Sequence, residues 1–267
     1  MGLIQTLFGG PTPPLKPRGP APFTQPPERD RQALFWWLKR NTSYTALAHN
    51  AVLWSEFVAE WERWLRSQDD PYEHLIETLK YALDTQLYYE RGLNRLKQGD
   101  HSVFNRQSSE GWLEKVNTGL PGRRMEWYGT CELIAEQDGV PLSMLLAYEK
   151  AHDAAMAVGH GMSYFSLDNH KNTARQLLAS LGFDTSVPEP RWDISFRPNK
   201  SAPKDGIYEQ VDSEGHIVGG MGYFVKGQQS KAMSALNLVQ MRGKQLSKPR
   251  LIFYGDYSGK TPATKTA

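Results

Sequence analysis

Val187-Pro188-Glu189-Pro190-Arg191-Trp192-Asp193-Ile194-Ser195-Phe196-Arg197 is the stretch on which the fold turns. From Trp192 the apolar residues alternate, with Trp192, Ile194 and Phe196 set against Asp193, Ser195 and Arg197. Upstream of Pro188 they recur every three or four positions. A period near 3.6 belongs to helices and a period of 2 to strands. The two prolines at the switch suit neither element and mark a boundary. The chain is therefore helical first and β second. Such segregation predicts an α+β protein, an N-terminal helical domain followed by a small C-terminal antiparallel β module.

Upstream, helix signals begin at Arg29 with Leu34, Trp37 and Leu38 on one face. A second helix runs from about Tyr44 to Arg66, its stripe formed by Leu47, Ala48, Ala51, Trp54, Val58, Trp61 and Leu65. Glu56, Glu60 and Arg63 fall outside that stripe, and Glu56, Glu60 and Glu62, accompanied by Arg63 and Arg66, read as a solvated face rather than an acid–base set. Asp70-Pro71 opens a third helix, with Leu75, Ile76, Leu79, Leu83, Leu87 and Tyr88 expected inward and Gly99 as its stop. A short helix near Ser109 to Gly119, another over Arg123 to Gln137, one restarting at Pro141 through Leu145, Tyr148, His152 and Met156, and a last one over Asn172 to Leu181 complete the helical part.

Downstream, Gly206 to Val211 and His216 to Val225 read as strands around the turn Asp212-Ser213-Glu214-Gly215. Gly219, Gly220 and Gly222 permit a bulge or a tight corner. Ala235 to Met241 and Arg250 to Tyr254 read as further strands, giving a small curled sheet or partly open barrel. Pro11 to Pro27 is proline-rich and reads as an extended arm. The expected layout is an arm over 1–28, a helical domain over 29–185, a β module over 186–258 and a frayed tail over 259–267. The start Met1-Gly2-Leu3-Ile4-Gln5-Thr6 fits the myristoylation pattern, which is short enough to recur by chance.

The chain has 267 residues, 39% of them hydrophobic, with eight tryptophans and twelve tyrosines. That is ample for a core and excludes a wholly disordered chain. A single cysteine, Cys131, excludes an internal disulfide framework and any multi-cysteine zinc site. No run of apolar residues is long enough for a membrane span, so no membrane partner is expected. With no secretory signal at the start either, a cytoplasmic setting is expected. The net charge of +2 hides an acidic helical part and a basic C-terminal third.

The residues offer little chemistry. His152-Asp153, followed by His160 and His170, is the best candidate for a helical metal-dependent hydrolase. On an unbroken helix, however, His152 and His160 would stand about 12 Å apart. A nucleic-acid-binding module would use Lys226, Lys231, Arg242, Lys244, Lys248 and Arg250, with Tyr223 or Tyr254 stacking on bases. Walker A, GxSxG, HExxH and GxGxxG motifs are absent. Accordingly no catalytic residue, no metal ligand and no cofactor is assigned, and the chain is expected not to be an enzyme.

Pro203-Lys204-Asp205-Gly206-Ile207-Tyr208-Glu209-Gln210-Val211-Asp212, Gly215-His216-Ile217-Val218-Gly219-Gly220 and Phe224-Val225-Lys226-Gly227 together carry a resemblance. They are similar to the C-terminal module of immunity proteins from bacterial polymorphic-toxin and type VI secretion systems, families seventy-one and seventy-two. The overlap is about 25 residues; beyond Gly227 the expected proline-containing continuation is missing. The resemblance implies a protein that binds a cognate toxin or effector and neutralises it by occlusion, without catalysis. Gly206, Tyr208, Gly215, Phe224, Lys226 and Gly227 read as structural motif residues, the glycines serving turns and the aromatics packing. Aromatic and arginine side chains off the apolar stripes or in a glycine-flanked loop are the partner-binding candidates: Trp36, Trp64, Tyr81, Tyr89, Arg123 and Arg124.

Overall fold

The computed structural model describes residues 16–17, 19–21, 27–71, 73–105, 139–161, 179, 186–197, 200–229 and 250–256. These carry four helices, α1 (Glu28–Asn41), α2 (Tyr44–Arg66), α3 (Glu73–Lys97) and α4 (Leu142–Gly161), a 3-10 turn (His101–Phe104), and four strands, β1 (Arg191–Phe196), β2 (Gly206–Val211), β3 (Ile217–Phe224) and β4 (Arg250–Gly255). The protein is α+β, as its periodicity predicts. The helices expected over Ser109 to Gly119 and Arg123 to Gln137, the strand expected over Ala235 to Met241 and Cys131 lie outside the described residues, as does nearly all of Asn172 to Leu181. The chain divides into two compact units. One takes residues 39–163; the other takes residues 1–38 with 164–257.

In the helical unit α2 is the central element, with α3 and α4 both packed against it. Ser43 caps it: its backbone is extended (φ −89°, ψ 151°) and its Oγ accepts the Ala46 N–H at 3.1 Å. Of the expected α2 stripe Leu47, Trp54, Val58, Trp61 and Leu65 are buried and Ala48 and Ala51 half-buried, while Asn50, Leu53 and Phe57, not expected inward, widen the buried face. Trp54 ties the three helices together. Its ring meets Phe57, Tyr89 and Tyr148 at centroid distances of 5.3, 6.3 and 6.4 Å. Its Nε1–H donates to the Ala82 carbonyl of α3 at 2.8 Å, and Asn50 Nδ2 donates to the Ala154 carbonyl of α4, also at 2.8 Å. Both donors thus find acceptors on neighbouring helices.

α3 departs from expectation. Only Leu75 of the six residues expected inward is buried; Leu79 and Tyr88 are half-buried, and Ile76, Leu83 and Leu87 are exposed. The helix instead turns Thr78, Ala82, Thr85 and Tyr89 towards the core. Small side chains at 78, 82 and 85 let the α3 backbone come within hydrogen-bonding reach of Trp54, which a face of leucines would prevent. Gly99, with φ 79°, ends the helix region as expected.

In the other unit the strands order β1-β4-β2-β3, every neighbour antiparallel. Tyr208 stands opposite Phe253, and Glu209 opposite Ile252. One face of the sheet therefore holds Tyr208, Leu251 and Phe253, packed with Phe196, Ala202 and Phe224. The opposite face holds Glu209, Ile252 and Tyr254, and α1 packs on it: the Phe35 ring meets the Tyr254 ring at 6.2 Å. The β2–β3 register shifts between Glu209 and Val211, across from Gly220 at φ 90°, so the glycine-rich strand does bulge.

Candidate functional site

Among the described residues, three places within the two units concentrate polar or exposed chemistry. The first is a buried centre between α1 and the sheet. Glu209, 1% exposed, receives Arg31 Nε at 2.9 Å on Oε1 and Arg31 Nη2 at 2.9 Å on Oε2. The Tyr254 hydroxyl donates to the same Oε2 at 2.5 Å, and Arg31 Nη2 also donates to that hydroxyl oxygen at 2.9 Å. The fork of the guanidinium matches the carboxylate, so the pair is bidentate. Burial alone would lower the Arg31 pKa, but the bond to Glu209 and its charge outweigh it and hold the guanidinium above its ordinary value. Burial, and then the Glu209 charge, push the Tyr254 hydroxyl up. Both carboxylate oxygens of Glu209 are engaged, so the centre is a closed structural bond between α1 and the sheet rather than a base awaiting a substrate.

The second place lies at the β2–β3 turn. His216 Nδ1 lies 3.2 Å from Asp212 Oδ2, and its Nε2 lies 3.1 Å from the carbonyl oxygen of Gly19. Asp212 Oδ1 also accepts the N–H groups of Glu214 and His216, which fixes the turn, and Gly215 adopts φ 89° to close it. The histidine is thereby a clamp on part of the N-terminal arm.

The third is the outer face of α3. Ile76, Leu83 and Leu87 are 49%, 41% and 48% exposed and lie on one stripe with half-buried Leu79. An apolar stripe on the outside of a helix is unusual enough to mark a contact surface.

The partner-binding candidates separate. Trp36 is buried, edge-on to Phe35, and Tyr89 is 1% exposed against Trp54. Both are packed inside the chain, which corrects their reading as surface groups. Helical spacing misplaces Tyr89 because the leucines of α3 point outward. Trp64 is half-buried against the edge of Trp61, and Tyr81 is exposed. Arg123 and Arg124 lie outside the described residues.

The structural motif residues are better placed. Tyr208 and Phe224 meet edge-on at 5.8 Å, and the Tyr208 hydroxyl donates to the Lys204 carbonyl at 2.7 Å. Lys226 N–H donates to Asp205, and Gly227 takes φ 84° in the tight turn that follows β3. Gly206 does not serve a turn but a close approach: at φ 147°, an added Cβ would strike the Gly255 backbone and come 2.6 Å from the Phe253 ring.

Of the hydrolase set, His152 Nδ1 lies 3.9 Å from Asp153 and its ring stacks on Tyr148 at 5.7 Å. The His160 and His170 side chains lie outside the described residues. For the nucleic-acid reading, Tyr223 and Tyr254 are buried and engaged with Asp256 and Glu209, so neither presents a ring to a base. Lys231, Arg242, Lys244 and Lys248 lie outside the described residues; Lys226 is exposed and Arg250 half-buried.

Sequence reasoning misses Arg31 and Glu209. The available signal is an acidic residue in the middle of Ile207-Tyr208-Glu209-Gln210-Val211, a strand that is buried on both faces.

The Arg31–Glu209–Tyr254 and Asp212–His216 centres are closed upon themselves, and the apolar groups of α3 face outward. This defines an α+β protein whose described surface suits contact with another macromolecule. The chain belongs to the Immunity protein 71 family, whose family model matches residues 25–163. That match covers α1 to α4, whereas the similarity noted in the sequence lies on the sheet. No curated protein and no solved structure matches the chain. Among the described residues no helix is long and apolar enough to cross a membrane.

Proposed function

We propose that this chain is an immunity protein that binds and neutralises one cognate secreted bacterial toxin, within a polymorphic-toxin or type VI secretion system, in the cytoplasm of the cell it protects. The family match over residues 25–163 is the observation that carries this reading. Neutralisation proceeds by occlusion and requires no catalytic residue, cofactor or metal in this chain. Closure of the Arg31–Glu209–Tyr254 centre supports a structural rather than chemical use of its buried charges. An inhibitor of a lethal activity needs nanomolar affinity, about −12 kcal/mol, which an interface of about 800 Å² per partner can supply. Tyr81, Trp64, Arg123 and Arg124 are the proposed contacts.

The test is co-expression with the product of the gene that neighbours this one. Cells making that protein are expected to survive only when this chain is present, and the two purified proteins to form a stable complex. Tyr81→Ala is expected to weaken the complex by at least tenfold while leaving the melting temperature of the free chain unchanged. A neighbouring product that neither binds this chain nor harms cells lacking it overturns the proposal.

A further inference from the structure

The outer face of α3 carries more than an apolar stripe. Glu73, Lys80, Asp84 and Arg91 are all exposed. At 100° per residue they fall within about 40° of arc, along one border of the stripe. None of them makes an ion pair among the described residues, although Lys80 and Asp84 stand one turn apart.

The order of these charges has a symmetry. Two helices related by a two-fold axis and packed antiparallel bring each border of one against the same border of the other. With the axis at the height of residue 82, Glu73 of one helix faces Arg91 of the other, and Lys80 faces Asp84. Each contact occurs twice, so these four residues form four opposite-charge pairs, with Glu77, also exposed, about 20° beyond Asp84 at the outer edge of the same border. The same register stacks Ile76 against Leu87 of the second helix and brings the two copies of Leu83 together beside the axis, with Leu79 filling the space between. One register thus satisfies both the apolar stripe and its charged border.

We propose that a second copy of this chain docks on α3, antiparallel and two-fold symmetric, in this register. The proposal is independent of toxin binding: Tyr81 lies outside the stripe. From Ile76 to Leu87 the stripe extends about 16 Å along the axis, which places the contact among small, transient interfaces. Association in the micromolar range follows.

Sedimentation equilibrium of the full chain over a range of concentrations tests this. The expected result is a reversible monomer–dimer equilibrium at micromolar concentration, weakened at least tenfold by Leu83→Glu at an unchanged melting temperature. The register is tested by charge exchange. Arg91→Glu alone sets a carboxylate against Glu73 of the second copy and is expected to weaken the dimer; Glu73→Lys/Arg91→Glu is expected to restore it. Residues 73 and 91 stand about 27 Å apart within one helix, so rescue can arise only between chains. Melting temperatures of the three variants separate lost association from lost folding. A chain that stays monomeric at every concentration overturns the proposal, including the case in which the stripe becomes protected only when a toxin binds. A dimer unaffected by Leu83→Glu, or not rescued by the exchange, overturns the assigned face and register.

Discussion

Glu209 is a carboxylate with almost no contact with water, and Arg31 and Tyr254 meet the charge of both its oxygens. Replacing Arg31 by Met leaves that charge buried and uncompensated, a change that costs about 3–5 kcal/mol in comparable sites. The double variant Arg31→Met/Glu209→Gln removes both charges and keeps an oxygen for Tyr254, so it is expected to recover most of the loss. Urea denaturation of the two variants measures the difference, and equal destabilisation would contradict it. The tyrosines give a second expectation. Burial raises the hydroxyl pKa of Tyr89, Tyr208 and Tyr254 above the ordinary value. A raised pKa in the folded state means that the stability each contributes is complete below the unfolded value of about 10 and is lost as pH rises towards the folded value. Stability should therefore fall steeply above pH about 10, by up to about 1.4 kcal/mol per pH unit for each such tyrosine. Tyr254→Phe should remove one share of that slope in denaturation series between neutral pH and about pH 11. None of this pairing is legible in the sequence, because Arg31 and Glu209 are separated by 178 positions. What can be read is only that a lone acid sits in an apolar strand.

Among the elements, α2 shows what periodicity reads well. Its limits and most of its buried stripe follow from spacing alone, and the structure adds the Ser43 cap that fixes its start. Ser43→Ala should cost ~1 kcal/mol, seen as a lowered melting temperature. α3 shows where the same rule misleads. Periodicity reports that a helix has an apolar side, not that this side faces its own core. Here Trp54 needs an acceptor on α3, and the small residues Thr78, Ala82 and Thr85 allow the approach that provides one. Ala82→Leu on that face should therefore be more disruptive than Leu83→Ala on the outer face, by roughly 1–3 kcal/mol from overpacking. Comparing their thermal melts checks this, and the reverse ranking would restore the orientation that the leucines suggest. In the sheet, the alternation after Trp192 gives the strands, and the glycines of β3 give the bulge. Gly206 is legible as a special residue but not for its cause, since the obstacle to a side chain there is β4, which lies far along the chain.

At the scale of the whole molecule, order along the chain and grouping in space differ. The period switch near Pro188 separates helical from β sequence, yet α1 as far as Leu38 groups with the sheet that comes after it. The bond from Arg31 to Tyr254 spans 223 positions. Sequence patterning cannot reveal such a partnership, because an amphipathic helix carries the same apolar period whether it rests on another helix or on a sheet. The consequence is that the sheet depends on the two ends of the chain meeting. Its Glu209–Ile252–Tyr254 face has α1 as cover, and without that cover it would expose apolar groups beside an unpaired carboxylate. Deleting residues 1–38 should therefore abolish amide-exchange protection of β2 and β4, although every residue of the sheet remains. α2, α3 and α4, whose mutual bonds run from Trp54 and Asn50, should keep most of theirs. Hydrogen exchange on the full and shortened chains measures both. Loss of protection throughout would mean that the two units share one cooperative transition, and unchanged protection of β2 and β4 would mean that α1 does not hold the sheet.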